Sequence, residues 1–380
     1  MTGSLLVGRI RLAIVSTLLP ASLFAPPQDA DLIRGDQWHL PYLQIEQAHQ
    51  LSQGFGVIVA VPDTGVDPHP DLHDNLLPGT DAIPGGSGDG RRDRDSHGTS
   101  MAGLIAAHGK THKRGALGIA PKAKILPIMD TPPNGVGDPD ALASGIEFAI
   151  AGGADVISIS AVAGASIRLQ QSIKAAQDAN IVVVAAAGNS PPDTSVRYPA
   201  SEEGVIAVGG VDRAGRHAAI SVTGPKIDVV APAVDIYSTS YDGKYSKGTG
   251  TSSATAIVAG AAALIRSKYP YLPAREVAHR LTATAVDKGP PGRDDEYGYG
   301  VIDLVAALTA DVPPLGFESV SAPAGAGPTT TAAAQPGGQD DGSTVRGLAT
   351  LGVIVAAGVG WMVIARRRRR GDDPPPRISR

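Results

Sequence analysis

Short apolar runs that alternate with helical patterns constrain the fold of this 380-residue chain more than any other feature. The segments 57–61 (VIVAV), 155–160 (DVISIS) and 181–185 (IVVVA) are rich in β-branched residues. Strands of this kind are typical of a parallel sheet whose two faces are both covered by helices. The sequence therefore predicts a three-layer α/β domain with a mainly parallel sheet flanked by helices.

The same pattern gives bounds for the individual elements. Apolar, β-branched runs predict strands at Val57–Val61, Ala123–Met129, Asp155–Ser160, Ile181–Ala185 and Val205–Val208. Helical spacing of apolar residues predicts helices at Thr99–Ala107, Pro139–Ala151, Ile167–Ala179, Ser253–Ser267 and Ala274–Ala283. Strands and helices thus follow one another through a single globular unit.

Composition disfavours some classes of function. The chain has 33 Lys and Arg residues against 37 Asp and Glu residues, a formal net charge of −4. A general nucleic-acid binder is disfavoured, because neutralising phosphates requires clustered basic side chains. Cysteine is absent, which removes disulfides, thiolate nucleophiles and thiolate metal sites.

Polar residues follow several of the predicted strands, where open parallel sheets gather their functional groups. Asp63 ends the first strand, His97 stands where a helix begins, Asn189 ends the run IVVVAAAGN, and Ser252 opens GTSSATAIVAG. An imidazole can activate a serine hydroxyl, a carboxylate can orient the imidazole, and an amide can stabilise an oxyanion. Each residue alone could equally be a turn former, a structural hydrogen bonder or a helix cap, so residue type leaves the roles open.

The motifs around these residues, in this order, resemble those of the subtilisin-like serine peptidases. They are D-T-G at Asp63, H-G-T-x-x-A-G at His97, A-A-G-N ending at Asn189, and G-T-S-x-A at Ser252. The resemblance covers roughly residues 37–308, and the four ordered motifs together are specific where each alone is weak.

The resemblance implies a role for each motif residue. Asp63 would orient His97, His97 would act as general base and then general acid, Ser252 would attack the substrate, and Asn189 would donate to the oxyanion. Ser253 would point about 100° away from Ser252 on a helix, so it is interpreted as cleft lining or polar surface. No metal or cofactor is expected, because the carboxylates of PDTGVDPHPD match no specific calcium spacing.

Both ends of the chain resemble membrane-targeting elements. Residues 1–25 combine early arginines with a short apolar run and predict a secretory signal peptide. Residues 347–365 lack charge, are long enough to cross a ~30 Å hydrocarbon core, and are followed by five arginines. The predicted parts are the signal peptide (1–25), the peptidase domain (26–310), a Pro/Gly/Ala/Thr-rich stalk (311–346), the transmembrane helix (347–365) and a basic cytoplasmic tail (366–380).

This organisation is similar to that of the mycosins, the membrane-anchored subtilisin-like proteases of actinobacterial type VII secretion systems. The stretch DRDSHGT around His97 resembles the D-C-D-x-H-G-T of that group. The resemblance implies a single-pass protein of the cell membrane with an extracellular peptidase domain. Its expected partners are a protein or peptide substrate, the membrane and a type VII secretion complex.

The chain departs from the family pattern at three places, and two of them, the Ala161–Val162 stretch and the missing pro-segment, keep a second function open together with the membrane tether. Ala256 stands where the family usually has proline, and Ala161 and Val162 follow Ser160 where it often has S-x-G. A Cβ at Val162 could narrow the substrate cleft. No long pro-segment is expected between residues 25 and 37. The two hypotheses are a serine endopeptidase and a structural subunit of a secretion complex that requires little proteolysis.

Overall fold

The computed structural model describes residues 32–110, 114–133 and 137–316. Contacts divide the chain into two units, Met1–Glu318 and Ser319–Arg380, and the described residues all belong to the first. The predicted signal peptide, transmembrane helix and tail lie outside the described residues, as does most of the predicted stalk. No helix within the described ranges is long and apolar enough to span a bilayer.

A seven-stranded sheet forms the middle layer. Every pair of neighbouring strands within this sheet is parallel. Its strands are β1 (Ile58–Asp63), β2 (Thr80–Asp81), β3 (Lys124–Met129), β4 (Val156–Ile159), β5 (Val182–Ala186), β6 (Ile206–Val211) and β7 (Val229–Pro232). They are arranged in the order β2-β3-β1-β4-β5-β6-β7. An antiparallel hairpin, β8 (Ile236–Thr239) and β9 (Tyr245–Gly248), stands apart from this sheet.

Helices precede, separate and follow these strands. They are α1 (Leu32–Asp36), α2 (His39–Tyr42), α3 (Ile45–Leu51), α4 (His97–Ala106), α5 (Pro139–Ala151), α6 (Ile167–Asp178), α7 (Thr251–Lys268), α8 (Ala274–Ala283) and α9 (Leu304–Thr309). A short 3-10 turn, His73–Asn75, lies between β1 and β2. The predicted α/β class and mainly parallel sheet are therefore confirmed.

Alternate residues of β1 enter different hydrophobic cores, because a strand points successive side chains to opposite faces. Val59 and Val61 join the core that contains residues of α4 and α7. Ala60 joins the core that contains residues of α5 and α6. Both faces of the sheet are thus covered, which confirms the predicted three layers.

The element bounds differ from the predictions at several informative places. Strands β2 and β7 were not predicted, because β2 is two residues long and half-buried and β7 ends in a proline. Helices α1 to α3 are short and follow one another closely, so no helical period accumulates in the sequence. Helix α4 begins at His97 rather than Thr99, and α7 begins at Thr251 rather than Ser253.

Helix α7 is buried along almost its whole length because its side chains are small. At Gly260, a Cβ atom would come within 2.6 Å of Ile119 Cβ, so the helix packs too closely there for any side chain. Close packing fixes the position of the first turn of α7, which carries Ser252.

The strand order reverses at β1, since β3 pairs with one of its edges and β4 with the other. In open α/β sheets, the crevice at such a reversal, beyond the carboxyl ends of the strands, is where ligands bind. Asp63 is the last residue of β1. The topology therefore marks the surroundings of Asp63 as the place to look for a functional site.

Candidate active site

Asp63 and His97 form a hydrogen-bonded pair at the carboxyl end of β1. The Asp63 side chain is buried, and the Thr64 N–H donates to its Oδ1 at 2.7 Å. Nδ1 of His97 lies 2.8 Å from Oδ1 and 2.9 Å from Oδ2 of Asp63. Since a carboxylate accepts hydrogen bonds, Nδ1 carries the proton and Nε2 is left as the basic nitrogen of the ring.

The surroundings of His97 favour its protonated form. The Asp63 carboxylate raises the pKa of His97 most strongly, burial opposes this shift, and Asp95 and Asp93 add to it. The His97 side chain remains 37% exposed, so a bound substrate could reach the ring. This environment stabilises the imidazolium that forms when the ring accepts a proton from a nucleophile.

A third carboxylate, Asp93, fixes the loop and the helix start that carry His97. Its Oδ1 accepts hydrogen bonds from Thr64 Oγ1 at 3.0 Å and from the N–H groups of Asp95 and Ser96 at 2.8 and 3.1 Å. Its Oδ2 accepts from the N–H and the hydroxyl of Thr99 at 2.9 and 2.7 Å. No role for Asp93 was predicted from the sequence, because it stands three residues before the N-cap residue Ser96 and its contacts form only when the loop folds back on the helix start.

Ser252 lies in the first turn of α7, and its hydroxyl donates to the Ser160 carbonyl at 2.9 Å. In return, the Ser160 hydroxyl donates to the Ser252 carbonyl at 3.1 Å. Within the described part of the chain, Ser252 makes no hydrogen bond to His97. The Ser252 hydroxyl must exchange the Ser160 carbonyl for Nε2 of His97 before it can pass a proton to that ring.

Asn189 is anchored to the residue that precedes Ser252. Its Oδ1 accepts from the Thr251 N–H at 2.9 Å and from the Thr251 hydroxyl at 3.1 Å. A Cβ atom on Gly250 would lie 3.4 Å from Nδ2 of Asn189, an ordinary van der Waals contact, so Gly250 lies beside the amide. Because Oδ1 is occupied by Thr251, the donor end of the amide, Nδ2, is left for an oxyanion.

Comparison with known proteins adds to this geometry. Residues 54–300 match the model of the Subtilase family. The chain belongs to the subtilase family. It is 41% identical over 260 residues to subtilisin DY of Bacillus licheniformis, covering 67% of this chain and 92% of the relative. It is 37% identical over 268 residues to a thermostable alkaline protease of Halalkalibacterium halodurans, covering 70% and 71%.

Solved structures agree with these relatives. MycP1 from Mycobacterium smegmatis is matched with a TM-score of 0.65 and 30% identity, covering 80% of this chain and 92% of that one. MycP3, a protease from the type VII (ESX-3) secretion system, is matched with a TM-score of 0.63 and 34% identity, covering 72% and 88%. This subtilase is therefore a serine endopeptidase of subtilisin-like fold, related to the mycosins.

The subtilase has a second buried carboxyl group behind Asp63, which sequence analysis missed. The main-chain N–H groups of Asp130 and Thr131 both donate to the Asp63 carbonyl, at 3.0 and 3.2 Å. Burial and then the charge of Asp63 raise the pKa of Asp130 to about 8. Burial and the charge of Asp63 thus favour the neutral form of Asp130. Its signal in the sequence is an acid directly after β3, close to the position of Asp63 at the end of the neighbouring strand β1.

Two interpretations of neighbouring residues have different outcomes. Ser253 is 4% exposed, so its interpretation as polar surface is wrong, whereas its interpretation as cleft lining stays a prediction. Val162 is 39% exposed in the segment that follows β4. The effect of Val162 on substrate preference in this subtilase stays a prediction.

Proposed function

We propose that this chain hydrolyses peptide bonds with Asp63, His97 and Ser252 as a catalytic triad and Asn189 as an oxyanion donor. The observation that carries the proposal is the Asp63–His97 hydrogen bond, which leaves Nε2 of His97 as a base. The anchoring of Asn189 on Thr251 supports the same assignment, because it holds an amide donor beside Ser252.

Acylation would begin when the Ser252 hydroxyl leaves the Ser160 carbonyl and turns to His97. As Oγ attacks the peptide carbonyl, its proton passes to Nε2 of His97, while Nδ1–H stays bonded to Asp63. The carbonyl oxygen becomes an oxyanion. Nδ2 of Asn189 and the main-chain N–H of Ser252, in the first turn of α7, are the donors in reach of that charge.

The second half of the cycle uses the same residues in reverse. Nε2 of His97 gives its proton to the leaving amine, and the C–N bond breaks to leave an acyl ester on Ser252. A water molecule then attacks the ester, with His97 again taking the proton. Free enzyme and a new carboxyl terminus result, and Asp63 stays charged throughout.

We further propose that the protein is a single-pass cell-membrane protein whose peptidase domain faces outward and which works with a type VII secretion complex. The uncharged run 347–365 and the arginines that follow it support the anchor and its orientation. The similarity to MycP3, from a type VII (ESX-3) system, supports the association.

The triad is tested by labelling the full-length protein with a fluorophosphonate probe, which reacts with activated serines. We expect labelling of the unaltered protein and of Ser253→Ala, which removes the neighbouring hydroxyl, but none of Ser252→Ala. Peptide hydrolysis should follow the same pattern. Labelling of Ser252→Ala at the unaltered rate would contradict the nucleophile assignment.

A structural subunit that needs little proteolysis is the second candidate function. The observation that favours it is the Ser252 hydroxyl, which is bonded to the Ser160 carbonyl rather than to His97. The two functions separate in a strain that lacks the protein and is complemented with Ser252→Ala. Restored secretion supports the structural role, and lost secretion supports the peptidase.

A further inference from the structure

Three side chains of types that can bind a metal ion lie close together outside the active site. His73 and Asp74 belong to the 3-10 turn, and His108 follows the end of α4. One donor atom from each lies within 4.8 Å of the others. Nε2 of His73 lies 3.0 Å from Oδ1 of Asp74, and Nε2 of His108 lies 3.9 Å from Oδ2. The two imidazole rings meet edge to face with their centroids 5.5 Å apart.

Both imidazoles point the same nitrogen toward the shared carboxylate. Nδ1 of His73 lies 3.0 Å from the Pro70 carbonyl, and Nδ1 of His108 lies 2.7 Å from the Gly109 carbonyl. A carbonyl oxygen only accepts, so each Nδ1 carries a proton and each neutral ring has its lone pair on Nε2. Metal-ligating histidines are oriented in this way, with the second nitrogen donating to a carbonyl.

With neutral rings, this arrangement leaves acceptors facing one another. Nε2 of His73 lies 3.0 Å from a carboxylate oxygen of Asp74, a contact that either a proton on Nε2 or a bound metal ion makes favourable. Nε2 of His108 is buried and has no hydrogen-bond partner among the described residues, although the side chain is 22% exposed. Burying an unpaired polar atom is costly, and a cation bound between the three groups would satisfy all of them.

One main-chain and one side-chain hydrogen bond hold the 3-10 turn and the segment after α4 together without an ion. The His108 N–H donates to the Asp71 carbonyl at 2.8 Å. Nδ2 of Asn75, the last residue of the turn, donates to the Ala106 carbonyl, the last residue of α4, at 2.8 Å. A site that is assembled by such contacts requires only small side-chain movements to close around a metal.

We propose that His73, Asp74 and His108 bind a divalent transition-metal ion, Zn²⁺ in the first instance. Two imidazoles and one carboxylate are a donor set that zinc accepts, with water as a fourth ligand and bonds of ~2.0–2.2 Å. Lys124 Nζ binds the main-chain carbonyl of Asp74, so the carboxylate oxygens stay available. The ion would tie the turn to the segment behind α4, the helix that begins with His97.

The test uses full-length protein, stripped with EDTA and titrated with zinc chloride by calorimetry. We expect one zinc per chain, and binding at least about tenfold weaker in His73→Asn, Asp74→Asn and His108→Asn. The matched control is His279→Asn, which removes a histidine bonded to the Pro313 carbonyl and should bind as the unaltered protein does. Cobalt substituted for zinc should give the visible absorption of a tetrahedral site.

A thermal unfolding series gives an independent readout. Zinc should raise the melting temperature of the unaltered protein in a concentration-dependent way, but not that of the His73→Asn/His108→Asn double variant. Equal zinc affinity in the double variant would overturn the proposal. Zinc bound only at His97 would also overturn it, and would be recognised because it inhibits peptide hydrolysis and persists in the double variant.

Discussion

Single side chains in the site owe their properties to partners that no motif names. Asp93 fixes the loop that carries His97, and Asp130 has a raised pKa behind Asp63. Asp93 belongs to the stretch DRDSHGT, but neither residue shows its role in the sequence, because acids after strands and in loops are common turn formers. The chemistry of the motif residues therefore depends on contacts that appear only when the chain is folded.

The raised pKa of His97 predicts the pH dependence of peptide hydrolysis. Nε2 must be unprotonated to accept the serine proton, so kcat/KM should rise with pH and reach half its plateau above pH 6.5, the ordinary pKa of histidine. Asp95→Asn removes a charge that raises this pKa and should move the midpoint to lower pH while activity is kept. Asp178→Asn, an exposed acid on α6, is the control that should leave the midpoint unchanged. A midpoint below 6.5 would contradict this assignment.

Asp130 predicts how stability changes with pH. Its pKa is about 8 in the folded chain against an ordinary value of 3.8, so between these values the folded state binds more protons than the unfolded state. The free energy of unfolding should then fall as pH rises through this window, by up to about 1.4 kcal/mol per unit from this group. The free energy of unfolding should be measured with urea at pH 5 and at pH 9. Its decrease between these two pH values should be smaller for Asp130→Asn than for the unaltered protein. An equal loss in both would show that Asp130 is ionised when folded.

At the scale of elements, the sequence predicts strands and helices with a clear periodic pattern, and it misses the short ones. The β-branched runs identify β1, β3, β4, β5 and β6, because both faces of these strands are buried. The two residues of β2 and the short helices α1 to α3 carry too little pattern. His108 was not predicted as a metal ligand for a different reason. It lies close to Asp74 in the fold, but the two residues are far apart in the sequence.

Helix α7 gives a prediction about packing. Gly260→Ala would place a Cβ 2.6 Å from Ile119 Cβ, and such overpacking typically costs ~1–3 kcal/mol. Alanine's higher helix propensity offsets up to about 1 kcal/mol of this. With the full offset, urea unfolding should therefore show a net loss of up to about 2 kcal/mol. Gly164→Ala is the control, because nothing lies within 4 Å of a Cβ there. Equal stability of the two variants would contradict the close contact.

At the scale of the whole molecule, fold and family follow from sequence, whereas the relation to the membrane rests on segments outside the described residues. The motif residues form two linked sets, Asp63 with His97 and Asn189 with the residue before Ser252, and both Asp63 and Asn189 follow the carboxyl ends of parallel strands. A transmembrane segment is recognised by composition alone, since lipid demands only length and the absence of charge. Its presence in this protein therefore calls for a direct experiment.

The absence of cysteine makes the membrane orientation directly measurable. A single thiol introduced by Ser87→Cys, exposed in the peptidase domain, should react with a membrane-impermeant maleimide on intact cells. Ser379→Cys, near the end of the basic tail, should react only after the cells are opened. The unaltered protein, which has no thiol, is the control. Labelling of position 379 on intact cells would contradict the proposed orientation.

The burial of α7 ties the proposed nucleophile to a helix that lies within the hydrophobic core. Amide hydrogens in a helix surrounded by core are released to solvent only when the whole domain opens, unlike those of surface loops. Ser252 stands in the first turn of that helix. Local unfolding of surface loops should therefore leave Ser252 in place. We expect activity to be lost only when the whole domain unfolds.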